Sequence, residues 1–100
     1  MTTTITPTEF AALGGDAVLI DVREPDELAV ESIPSAISMP MSTLGDHLDE
    51  LPAGTFYVIC HAGMRSARVA SSLRDQGHDA ISVDGGITQW QAEGLPVTKG

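Results

Sequence analysis

Residues 59–70 read ICHAGMRSARVA. The apolar run Phe56-Tyr57-Val58-Ile59 leads into Cys60, a short polar loop containing Gly63 follows, and a helical pattern then opens, with Val69, Ala70 and Leu73 on one face. A continuous apolar run suits a strand covered on both faces, as in a parallel sheet. Strand, tight loop and helix in that order form the repeating unit of an α/β fold, whose chemistry falls where strand hands over to helix.

The same alternation extends outward in both directions. Residues 17–20 form a second apolar run, which ends at Asp21. Before it, Thr6-Pro7-Thr8-Glu9 combines a cap residue, proline at the first helical position and a glutamate three places after the cap. This predicts a short helix that turns Phe10 and Leu13 inward and stops at Gly14-Gly15. Ser42 is placed to cap a helix carrying Leu44, Leu48 and Leu51, closed by Pro52. A further helix is expected over 66–76 with Gly77 as its stop, short strands over 36–38 and 80–83, and a last helix with Ile87 and Trp90 inward, ending at Gly94. Met39, Met41 and Trp90 read as core or near-core residues. The alternation implies a mainly parallel sheet with helices on both faces and a ligand site at the strands' carboxyl ends, where Asp21 and Cys60 both lie.

The chain has 100 residues, so a single domain over 1–100 is expected, burying roughly 60–70% of its unfolded surface. A hydrophobic fraction of 42% against 19% charged residues, without low-complexity tracts, reads as globular. The net charge of −9 and pI near 4.4 speak against nucleic acid or an anionic membrane as partner. No stretch has the length of a membrane span or the form of a signal peptide, and the lone cysteine forms no internal disulfide, which together point to the reducing cytosol.

Basic residues are scarce, yet Arg65, Arg68 and Arg74 follow Cys60 closely. A cysteine closing an apolar strand is often only a small buried hydrophobe. Here the backbone amides of a strand-to-helix loop can curl around the sulfur, and the helix start adds partial positive charge. Gly63 permits the tight turn, and Arg65 offers a fork suited to an oxyanion. The loop therefore reads as a thiolate site with an anion pocket rather than as a packing position.

The remaining polar residues carry less. His61 reads as a solvent-facing loop residue, His47 and His78 have no partners, and no spacing of Cys and His completes a metal set. Asp21-Val22-Arg23-Glu24-Pro25-Asp26-Glu27 fits a helix start whose first turn favours acids, with Asp21 left as a support for the cysteine loop. Asp84-Gly85-Gly86 lacks the lysine and the spacing of a phosphate loop and reads as a turn.

With DVREPDEL at 21–28, IPSAI at 33–37, CHAGMRS at 60–66, and DGGI, W and GLPV between 84 and 97, the chain resembles the single-domain rhodanese family of sulfurtransferases. The resemblance implies a five-stranded, mostly parallel sheet flanked by helices. It further implies that Cys60 is the nucleophile and persulfide carrier, and that the amides across His61, Ala62, Gly63, Met64, Arg65 and Ser66 cradle the transferred sulfur. Arg65 would bind a small anionic donor such as thiosulfate, with cyanide, a thiol or a protein thiol as acceptor and without metal or organic cofactor. Ser32 and Ser35 stand where members of the family often have His and Gly. A phosphatase or arsenate reductase of the same fold, and a non-catalytic protein-binding module, are the alternative functions.

Overall fold

Leu19 and Ile20 are neighbours in sequence, yet both are almost completely buried. Successive strand side chains point to opposite faces, so each of the two must meet its own apolar layer. A computed structural model describes residues 3–99 and shows both layers. The elements in order are β1 (Thr4–Ile5), α1 (Pro7–Ala11), β2 (Leu19–Asp21), α2 (Pro25–Val30), β3 (Glu31–Ser32), β4 (Ile37–Ser38), β5 (Phe56–Ile59), α3 (Met64–Asp75), β6 (Ala80–Val83), α4 (Gly86–Ala92) and β7 (Thr98–Lys99).

Five strands form one parallel sheet in the order β1-β6-β5-β2-β4. On one face Ile20, Val58 and Cys60 pack with Val69, Ala70 and Leu73 of α3. On the other, Leu19, Ile59 and Val83 meet Phe10 of α1 and Ile87 and Trp90 of α4. Burying Val69 and Leu73 contributes roughly 2 kcal/mol each, which ties α3 to the sheet at the place where its first turn must be held. From β2 the chain moves outward to β4, whereas from β5 it moves the opposite way to β6. The crevice at such a reversal lies between the carboxyl ends of β2 and β5, beside Asp21 and Cys60.

Local chemistry explains most boundaries. Thr6 and Glu9 form the expected capping box at α1, with Pro7 at its first position. The helix ends at Ala11, so Leu13 lies beyond it and is 49% exposed instead of facing inward. Helix α3 begins two residues before the expected 66, because left-handed Gly63 starts it directly behind the loop. It stops at Gly77, whose φ of 95° suits glycine.

The helix expected over Leu44, Leu48 and Leu51 is instead two 3₁₀ turns, Leu44–Asp46 and Leu48–Glu50. Gly45 weakens an α-helix there, and His47, between the turns, has left helical dihedrals. Ser42 caps nothing, since its hydroxyl donates to Glu24 Oε1 at 2.6 Å. Met41 is 42% exposed rather than near-core. Two pairings had no sequence signal: β1 beside β6, and the antiparallel ribbon of β3 with β7. Among the described residues no helix is long and apolar enough to cross a membrane.

Candidate active site

Cys60 is the first residue beyond β5 and is 1% exposed. The chain then rises through exposed His61 and Ala62 and turns at Gly63 into α3, with Met64 outward and Ser66 buried. The Gly63 N–H donates to Cys60 Sγ at 3.0 Å, so the turn places a backbone donor directly on the sulfur. Ser66 Oγ lies 3.5 Å from Sγ, donates to the Gly63 carbonyl at 3.2 Å and sits 2.8 Å from Ser82 Oγ. Ser82 comes from β6, which ties the loop to the next strand.

Gly85 and Gly86 are more than a turn. The Ile87 N–H donates to the Cys60 carbonyl at 2.8 Å and the Thr88 N–H to the His61 carbonyl at 3.1 Å. In a trans peptide the C=O and the following N–H point in opposite directions, so anchoring these two carbonyls on α4 turns the His61 and Ala62 amides away from it. The approach is so close that a Cβ on Gly86 would lie 2.4 Å from the Cys60 carbonyl oxygen, and one on Gly63 would lie 2.9 Å from Gly85 N. Glycine is required at both positions by space as well as by their positive φ.

Arg65 does not stand free. Its Nη1 and Nη2 donate to Glu27 Oε1 and Oε2 at 2.6 and 2.7 Å, a two-pronged ion pair. Glu27 is itself fixed by the start of α2, because its Oε1 accepts the Glu24 N–H at 3.0 Å. The Arg65 hydrogen bond holds the Glu27 carboxyl down at about 2, well below the usual carboxylate range, and Glu27 in turn raises the guanidinium. Arg23, Glu27, Val30, Glu31, His61 and Arg65 line a cleft of about 310 Å³ beside the loop. An apolar groove of about 180 Å³ between α3 and the 3₁₀ turns is lined by other residues.

The structure thus brings Cys60, Gly63 and Ser66 together by direct hydrogen bonds, whereas Asp21 points its side chain elsewhere. Its carboxylate receives Arg23 Nη2 at 2.9 Å and Nε at 3.1 Å, and Arg23 also reaches the Glu31 carbonyl at 2.8 Å. Asp21 therefore positions Arg23 rather than the cysteine loop; its backbone contributes through the β2–β5 pairing with Ile59. His47 meets Glu50 at 2.5 Å, away from the loop. Sequence reasoning missed Glu27 as the partner of Arg65, Ser82 beneath Ser66, and the docking of Gly86 on the loop. The double glycine after a strand was the one signal available for any of these. Among the described residues no group of three or more His, Cys, Asp and Glu side chains is arranged to hold a metal.

Comparison with known proteins agrees with this fold. The family model for the Rhodanese-like domain matches residues 6–93. The Bacillus subtilis protein YtwF, which carries a provisional sulfurtransferase name, is 39% identical over 79 residues, covering 78% of this chain and 77% of that protein. An Allochromatium vinosum protein named sulfurtransferase is 36% identical over 84 residues, 82% of this chain and 78% of that protein. A crystal structure of a rhodanese-related protein from Thermoplasma volcanium superposes with a TM-score of 0.88 at 34% identity, covering 95% of this chain and 96% of the other.

Proposed function

Because this chain belongs to the rhodanese-like domain family and its relatives carry sulfurtransferase names, we propose that it transfers sulfane sulfur through a persulfide on Cys60. The observation that supports this reading best is the Gly63 N–H aimed at Sγ from a loop clamped onto α4. A preorganised donor favours negative charge on sulfur both before and after transfer.

The Cys60 thiol first gives its proton to solvent. The thiolate then attacks the outer sulfur of an anionic donor, for which thiosulfate is the simplest probe. The new Sγ–S bond forms as the donor's S–S bond breaks, and the electron pair leaves on sulfite. In the second half an acceptor nucleophile, cyanide or a thiolate, attacks the terminal sulfur, and the Sγ–S bond breaks to return the Cys60 thiolate. No oxidant or cofactor enters either half. The amides across residues 61–66 hold the persulfide charge, with the Gly63 N–H already on the sulfur at 3.0 Å. A small thiol or a protein thiol serves as acceptor, and the reducing cytosol suits a lone cysteine that must stay free.

Intact-mass analysis after thiosulfate treatment without reductant tests the reading. One added sulfur atom, removed by cyanide and absent from Cys60→Ser, is the expected result. A protein whose mass changes with neither thiosulfate nor a singly charged thiosulfonate would overturn it.

A further inference from the structure

Each cation facing the cleft beside Cys60 already has a carboxylate partner. Arg23 is paired with Asp21 at 2.9 Å in a buried contact. Arg65 is gripped by Glu27 through the forked edge that would otherwise clamp an oxyanion. Glu31 is a further carboxylate on the rim and binds Lys99 at 2.7 Å. His61 is the remaining titratable side chain there. The side chains of Arg65 and Glu27 are only 30% and 28% exposed, so their pair is less open to solvent than an ordinary surface pair. Glu27 is also held by the start of α2, so it cannot swing aside without breaking its bond to the Glu24 N–H.

We propose that Glu27 is a specificity residue that selects sulfur donors by charge, admitting a singly charged sulfane donor such as a thiosulfonate or an alkyl persulfide anion ahead of dianionic thiosulfate. The inference rests on the sulfur-transfer reading above and narrows its substrate class. The positive potential left in the site comes from loop amides and the start of α3, amounting to about half a charge at a helix end. That is matched to the charge on one sulfur. A second negative charge on the donor would need a cation, and Glu27 neutralises the one at hand. The protein's net charge of −9 adds repulsion that grows with the donor's charge.

The test compares kcat/KM for thiosulfate and for methanethiosulfonate, which deliver the same sulfur but differ by one charge, in the unaltered protein and in Glu27→Gln. The amide keeps the shape of Glu27 and removes its charge. The thiosulfate-to-thiosulfonate ratio is expected to rise about tenfold in the variant, equivalent to about 1.4 kcal/mol. An unchanged or lower ratio would overturn the proposal and show that Glu27 merely holds Arg65 in place. The unaltered protein gives a second measurement that does not depend on the variant folding. Raising ionic strength screens repulsion, so the same ratio should climb with salt; a ratio that falls would mean that a positive field captures the dianion, which equally overturns the proposal. If neither donor loads sulfur onto the unaltered protein, the sulfur-transfer reading fails and takes this one with it. If both donors load, only the charge selection is in question.

Discussion

Replacing Gly86 by alanine should injure the active site more than any other single methyl group added to a glycine of this chain. The added Cβ would fall 2.4 Å from the Cys60 carbonyl oxygen and 2.6 Å from the His61 carbonyl carbon and oxygen, about 1 Å short of ordinary contact. The obstructing atoms are backbone, so no rotamer change relieves the overlap; the loop and α4 must part. Parting them endangers the Ile87 and Thr88 hydrogen bonds to the loop, worth about 1 kcal/mol each. The positive φ of 59° adds about 1 kcal/mol for any residue with a Cβ. The total is a loss of about 3 kcal/mol in stability, and on the proposed function a displacement near 1 Å at the Cys60 loop costs roughly 100-fold in sulfur transfer. Gly77→Ala is the control, since Gly77 has a φ of 95° but nothing within 4 Å of an added Cβ. It should lose about 1 kcal/mol and leave transfer unaltered. Urea unfolding and initial-rate sulfur transfer on both variants decide the matter. If Gly86→Ala is no worse than Gly77→Ala by either measure, the clamp between α4 and the cysteine loop does not do what its geometry implies.

Two further outcomes follow from the same contacts. The Glu27 carboxyl is held at about 2, below its ordinary 4.5, so its pair with Arg65 stabilises the fold fully above that ordinary value and is lost as pH falls toward 2. Unfolding free energy should therefore drop across this acid window by about 1–2 kcal/mol more in the unaltered protein than in Glu27→Gln, allowing for partial exposure of the pair; parallel curves would refute the assignment. Only four residues separate Cys60 from Arg65, a loop short for seating a tetrahedral phosphate, so Cys60-dependent cleavage of an aryl phosphate should stay negligible beside sulfur transfer, and robust cleavage would favour the phosphatase alternative.

How far the sequence discloses this fold depends on whether a signal is local. The Thr6 to Glu9 capping box, the glycine stop after α3 and the unbroken apolar run of β5 are each settled by neighbouring residues, and each appears where the pattern places it, whereas β2 starts two residues later than its apolar run and takes in Asp21. The leucines at 44, 48 and 51 have helical spacing but no α-helix, because spacing records which residues seek the core and not how the backbone carries them there. Gly45 and the diversion of Ser42 to Glu24 decided that question. Strands of two residues, such as β1 and β3, owe their form to partners distant in sequence and leave no periodicity to read.

The same division runs through the site. That a lone cysteine sits between a buried strand and a helix, with glycine three residues on, is written within seven consecutive letters. The charge of the pocket is not. In sequence Arg65 is a rare cation beside a thiol, and Glu27 is one more acid in a helix start that favours acids. The two lie 38 residues apart and meet only because β2 and β5 are parallel neighbours in the sheet, which brings the start of α2 against the start of α3. A sequence supplies the number of charges, but a pocket responds to charges left without a partner, and partnership is a property of topology. The capping box that begins α2 and the loop that begins α3 are thus two halves of one device. One half holds the carboxylate that pairs with the arginine the other presents to the cleft.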